Sequence, residues 1–63
     1  MKKVLFNGMY NAGWKRKEIA RMKEEVELFE MQDNAKITSA NVDPDTVEVK
    51  MSNGIKIVQK KEL

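Results

Sequence analysis

The sequence contains no cysteine and no histidine. Without cysteine no disulfide can form, so the stability of so short a chain must come from packing, hydrogen bonds or a second subunit. The absence of histidine removes the commonest metal ligand and the usual catalytic base at neutral pH. A chain without cysteine is consistent with a reducing compartment, and we therefore expect a cytoplasmic protein.

Long apolar runs are also missing. The longest, from Val4 to Phe6, is far shorter than a membrane span or the core of a signal peptide, so we expect no membrane partner.

The composition, 41% apolar and 35% charged, is typical of a folded domain. The 63 residues predict one domain, residues 1–63, that buries about 60% of its unfolded surface. A net charge of +2 does not by itself imply a polyanionic partner.

No motif for catalysis or ligand binding is recognisable. The serine, threonine and tyrosine hydroxyls have no histidine to activate them. Acidic residues gather around Asp43, Asp45 and Glu48, but this segment lacks the length and the glycine of an EF-hand loop. We therefore expect a protein that is not an enzyme, with no cofactor and no metal site.

The N-terminal half predicts a short strand followed by one helix. Residues 2–6 have an apolar centre that ends at the turn signal Asn7-Gly8, and a second turn signal covers residues 11–13. From residue 14 to about 31 the chain has no glycine or proline and consists mostly of good helix formers. One apolar stripe follows helical spacing: Ile19, Met22, Val26 and Phe29. Leu28 lies off this stripe, so residues 26–31 could instead form a strand.

The C-terminal half predicts a three-stranded antiparallel meander over about 36–42, 47–51 and 55–59. Pro44 suits the second position of the first turn. In the second, a three-residue loop ending at Gly54 is favoured over a two-residue Asn53-Gly54 turn, because only the longer loop collects the apolar side chains on one face. That face comprises Ala40, Val42, Val47, Val49, Met51, Ile55 and Ile57. Ile37 and Val58 are predicted on the opposite face.

The expected fold is therefore α+β: a short N-terminal strand, one amphipathic helix, then an antiparallel meander packed on that helix. The helix has an unusual distribution of charge. Its basic residues are concentrated in the first half and its acidic residues in the second: Lys15, Arg16, Lys17, Arg21 and Lys23, then Glu24, Glu25, Glu27 and Glu30. The helix dipole favours the reverse order. Local rules broken without visible compensation sometimes mark a functional surface, although exposed charges screened by solvent are the simpler interpretation.

The stretch "NGMYNAGWKRK" places two aromatic side chains beside three consecutive cations. Tyr10 and Trp14 could stack on bases while the cations hold phosphates. The only tryptophan of a small domain is, however, typically part of its core, so Trp14 also has a structural interpretation.

Two functional interpretations follow. The favoured one is a small non-enzymatic protein-binding module, an adaptor, inhibitor or modulator, that uses the charge-polarised helix to bind a protein partner. The predicted partner-binding residues are Tyr10, Trp14, Lys15, Arg16, Lys17 and Arg21. A homo-oligomer formed through Ile37 and Val58 is a variant of this interpretation. The alternative is a nucleic-acid-binding protein that uses the patch formed by Tyr10, Trp14 and Lys15-Arg16-Lys17.

Overall fold

A computed structural model describes residues 1–61 and shows two helices followed by a three-stranded antiparallel sheet. The α+β class is thus confirmed. The elements are α1 (Lys2–Asn11), α2 (Arg16–Asp33), β1 (Ile37–Val42), β2 (Thr46–Met51) and β3 (Lys56–Lys60), and the strand order is β1-β2-β3.

The predicted N-terminal strand is wrong, because residues 2–6 belong to α1. Leu5 and Met9 lie one helical turn apart and are both buried. The turn signal at Asn7-Gly8 lies inside this helix, where Gly8 faces Val42 of β1: a Cβ atom built on Gly8 would be 3.6 Å from Val42 Cγ2. Packing of α1 against β1 therefore overrides the local preference of Asn7-Gly8 for a turn.

The second predicted turn, residues 11–13, is the end of α1. Gly13 has a φ of +92°, which suits glycine. The Gly13 N–H donates to Tyr10 O at 3.1 Å, and the Trp14 N–H donates to Met9 O at 3.0 Å. This is the hydrogen-bond pattern of a Schellman motif, completed by the buried side chains of Met9 and Trp14.

Helix α2 begins two residues later than predicted and continues to Asp33, so residues 26–31 are helical. The predicted apolar stripe faces the core: Met22 and Val26 are buried, and Ile19 and Phe29 pack against them. The C-cap residue, Asn34, takes the left-handed conformation with a φ of 52°.

The register of the sheet follows the prediction. Val42 lies opposite Val47, and Val49 lies opposite Ile57. The three-residue loop is confirmed by the Met51 N–H, which donates to Ile55 O at 2.9 Å, and by the φ of +89° at Gly54. Of the face predicted to be apolar, the central residues Val47, Val49, Met51 and Ile57 are buried, whereas Ile55 remains exposed.

The predicted position of Ile37 on the outer face of the sheet is also wrong. Strand alternation places it on the outer face with Val58, but it is only 9% exposed and belongs to the core. The register of β1 against β2 shifts between Ile37 and Ser39, which forms a bulge at Thr38. The Thr38 hydroxyl donates to Lys50 O at 3.1 Å. The extra residue turns Ile37 inward, so only Val58 of the proposed oligomer surface is exposed.

One core joins both helices to the inner face of the sheet. Its buried members are Leu5, Met9, Trp14, Met22, Val26, Ala35, Ile37, Val47, Val49, Met51 and Ile57.

Candidate functional site

The two helices run antiparallel beside each other. At one end, Lys2 Nζ of α1 contacts Glu30 Oε1 of α2 at 3.1 Å. At the other end, only the short connection through Trp14 separates them. Residues of both helices line a groove along their shared surface.

This helical groove is an open cavity of about 340 Å³ near the connection. The half-buried side chains of Phe6 and Ile19 form its apolar floor, and the exposed Tyr10, Arg16 and Lys23 surround them. Tyr10 is 69% exposed. The full set of lining residues is Phe6, Asn7, Tyr10, Arg16, Ile19, Ala20 and Lys23. The groove thus combines an apolar surface with two cations and one accessible aromatic ring.

Trp14 does not line the groove. It is only 3% exposed, and its Nε1–H donates to Asp43 O at 3.0 Å, which ties the helix connection to the turn between β1 and β2. The ammonium of Lys61 lies 5.7 Å from the centroid of the Trp14 ring, within the range of a cation–π contact. The burial of Trp14 agrees with its structural interpretation.

Lys15 is the N-cap of α2, with an extended backbone. Its N–H donates to Glu18 Oε1 at 3.0 Å, which is one half of a capping box. Glu18 is 2% exposed, and its carbonyl accepts a hydrogen bond of 2.8 Å from Gln59 Nε2 of β3. An acidic side chain therefore does occupy the first turn of α2, where the dipole favours it. This compensation for the surrounding cations was not predicted.

The remaining predicted residues lie on a different side of α2. Lys17 and Arg21 are exposed, lie one turn apart and do not line the helical groove. The structure therefore brings together Tyr10 and Arg16, and it separates them from Trp14, Lys17 and Arg21. Five residues of the groove were not predicted: Phe6, Asn7, Ile19, Ala20 and Lys23. The spacing of Phe6 and Tyr10 would have indicated the groove only if α1 had been recognised as a helix.

The outer face of the sheet is mostly polar, with Val58 as an exposed apolar residue. Lys56 Nζ of β3 contacts Glu48 Oε1 of β2 at 2.6 Å, and both side chains are exposed to solvent. The hydrogen bond and the positive charge of Lys56 lower the pKa of Glu48 below its usual range. This pair lies away from the helical groove and stabilises a cross-strand contact.

Within residues 1–61, no three aspartate, glutamate, histidine or cysteine side chains come close enough together to hold a metal ion. Neither α1 nor α2 is apolar enough over a sufficient length to cross a membrane.

The chain matches no protein-family model, and no curated protein or solved structure shows significant similarity to it.

Proposed function

We propose that this protein is a small non-enzymatic protein-binding module and that the helical groove binds an acidic, amphipathic helix of a partner protein. The observation that carries the proposal is the groove itself, in which Tyr10, Arg16 and Lys23 surround an apolar floor.

The charge of the groove selects the partner. Arg16 and Lys23 are both exposed cations at its edge. A guanidinium binds carboxylates through two parallel hydrogen bonds, and complementary charge accelerates association as well as favouring the correct partner. A partner segment with carboxylates on either side of its apolar residues therefore fits this rim.

The apolar floor supplies the remaining contact. Tyrosine is frequent at the centre of protein interfaces because its ring contributes a large contact area with few rotatable bonds. Tyr10 is exposed next to Phe6 and Ile19, so an apolar partner side chain could pack against all three. A third helix placed between two existing helices would present such side chains at one-turn spacing.

The burial of Trp14 weakens the nucleic-acid alternative. Binding of single strands relies on successive aromatic platforms, and of the two aromatic residues in this patch only Tyr10 is exposed. We therefore favour a protein partner over a nucleic acid.

The test uses isotope-labelled protein and three probes: an acidic amphipathic helical peptide, the same peptide with lysines in place of its acids, and a single-stranded oligonucleotide. We expect the acidic peptide to shift the backbone amide signals of Tyr10, Arg16 and Lys23. The lysine peptide should produce no shifts there. If the oligonucleotide alone shifts these signals, the nucleic-acid alternative replaces the proposal.

Matched variants identify the surface used. Arg16→Glu should weaken binding of the acidic peptide at least about tenfold, because it reverses one rim charge. Tyr10→Ala should weaken it similarly, because it removes the aromatic contact. Lys50→Glu makes the same charge change on the outer face of the sheet and should have little effect. Equal weakening by Arg16→Glu and Lys50→Glu would show that only net charge matters and would contradict a groove-specific site.

A further inference from the structure

The outward side of α2 carries a second surface, which we call the outer stripe and which consists of Lys17, Arg21, Glu24 and Leu28. These residues are spaced by four, three and four positions, the spacing of the contact line in a two-helix coiled coil. All four are exposed, and Leu28 is 47% exposed although it is apolar.

The outer stripe is complementary to itself when two copies run in opposite directions. Its first half is basic and its second half is acidic or apolar. Antiparallel alignment about the midpoint of Arg21 and Glu24 places Arg21 of one copy opposite Glu24 of the other, twice. The same alignment places Lys17 of each copy opposite Leu28 of the other.

We propose that two copies of this chain associate through their outer stripes as an antiparallel, two-fold symmetric pair of α2 helices. The two Arg21–Glu24 contacts would be charge-assisted hydrogen bonds. The aliphatic stem of Lys17 would cover Leu28 while its ammonium remains in water. The order of charges along α2, unfavourable for its own dipole, becomes favourable between two helices that point in opposite directions.

The pairing depends on the sign of each charge and not on any side chain being free. Lys17 and Arg21 already have interactions within their own chain. One face of one helix buries much less than the roughly 1,600 Å² of a standard interface. The dimer is therefore weak and sensitive to salt, and its symmetry closes it at two copies.

Pairing through the outer stripe does not depend on binding in the helical groove. The groove residues Arg16, Ile19 and Lys23 lie roughly a third to a half of a turn around α2 from the outer stripe, so pairing leaves the helical groove open. A dimer would present two grooves and could bind a partner with two acidic helices more tightly than a monomer could.

Sedimentation equilibrium at low ionic strength tests the pairing. The unmodified chain should show a monomer–dimer equilibrium that shifts to monomer at high salt. Arg21→Glu and Glu24→Arg should each raise the dissociation constant at least tenfold, because each places like charges opposite each other. An equimolar mixture of these two variants should form a heterodimer, since every contact between positions 21 and 24 then joins opposite charges. Lys50→Glu should leave the equilibrium unchanged.

Cysteine cross-linking tests the direction of the helices, and the absence of native cysteine makes it free of background. A mixture of Lys17→Cys and Leu28→Cys chains should form a disulfide-linked heterodimer on mild oxidation. Leu28→Cys alone should form little, because antiparallel pairing holds the two copies of position 28 far apart. A chain that remains monomeric at every concentration, a mixture of charge variants that fails to associate, or efficient cross-linking of Leu28→Cys with itself would each overturn the proposal.

Discussion

Among single residues, Gly8 and Gly13 differ in whether the backbone requires a glycine. Gly13 has a φ of +92°, which an L-amino acid with a side chain adopts only at a cost. Gly8 lies within α1, and a Cβ atom there would make ordinary contact, 3.6 Å, with Val42 Cγ2. The backbone conformation therefore requires glycine at position 13, whereas position 8 has room for a methyl group.

Substitution of each glycine by alanine should have opposite effects. Gly13→Ala should lower the free energy of unfolding by about 1–2 kcal/mol, because the left-handed conformation is strained for alanine. Gly8→Ala should raise it by about 0.5–1 kcal/mol, because alanine is the better helix former. Urea denaturation followed by circular dichroism measures both values. A stabilised Gly13→Ala chain would contradict the Schellman ending of α1.

Trp14→Phe tests the link between the helix connection and the first hairpin. Phenylalanine retains most of the ring but cannot donate to Asp43 O, so the free energy of unfolding should fall by about 1–3 kcal/mol. Tyr10→Phe is the matched control, since it removes only the hydroxyl of an exposed residue and should change stability by less than about 0.5 kcal/mol. Similar losses in the two variants would show that the Trp14 hydrogen bond contributes nothing.

At the scale of elements, the hairpin of β2 and β3 carries a titratable contact. Lys56 holds the pKa of Glu48 below its usual range, so the folded state favours the ionised carboxylate. The contact therefore stabilises the hairpin above the unfolded pKa of glutamate, and this contribution is lost as the pH falls through the lower, folded pKa.

An NMR titration of the Glu48 side-chain carboxyl should show this depressed pKa directly. In Lys56→Met the pKa of Glu48 should rise toward its ordinary value, because the largest causes of the shift are removed. Lys36→Met removes a lysine that is not among the causes of the shift and should leave the Glu48 pKa unchanged. No difference between the two variants would mean that the Glu48–Lys56 contact does not form in solution.

Some helices and strands of the fold can be predicted from the sequence and others cannot. The pairing of Val42 with Val47 and of Val49 with Ile57 was predictable, because only one register collects the apolar residues on one face. Helix α1 was not predictable from its local signals, because Asn7-Gly8 favours a turn and only packing against β1 makes a helix there preferable. Ile37 was misplaced since no sequence signal indicates the bulge at Thr38.

The candidate site was predictable only in part for the same reason. Tyr10 and Arg16 were selected because an aromatic residue and a cation near a turn are typical of binding surfaces. Their partners Phe6 and Lys23 come from two helices whose adjacency depends on α1. A binding groove between two elements cannot be assigned when one of those elements is read as a strand.

For the chain as one folding unit, the free energy of unfolding is small. The free energy of unfolding of native domains is about 0.05–0.15 kcal/mol per residue, so that of a chain of this size is about 3–9 kcal/mol. The contribution of one fully buried core side chain is therefore a large fraction of the free energy of unfolding.

Met22→Ala should consequently lower the free energy of unfolding by about 2–5 kcal/mol. A substantial fraction of the chains should then be unfolded at physiological temperature. Met22 is completely buried, whereas Met31 is 85% exposed, so Met31→Ala is the matched control and should change stability little. Thermal denaturation of both variants measures the difference. A stable Met22→Ala chain would contradict the central position of α2 in the core.

Helix α2 contributes to the core and to both proposed binding surfaces. The sides of α2 serve the core through Met22 and Val26, the helical groove through Arg16 and Lys23, and the outer stripe through Arg21 and Leu28. A partner bound in the groove would therefore contact the same rigid element that carries the proposed dimer surface. Binding and pairing can be measured independently, because they use different charged residues.

The burial of Trp14 has a practical consequence for all these measurements. As the only indole in the chain, it should emit at short wavelength when folded and shift to the red when water reaches it. Its ring contacts the helix connection, the first hairpin and Lys61, so its emission reports the docking of helices and sheet together. The native chain thus carries an intrinsic fluorophore for tertiary structure, and no added label is needed to follow its folding.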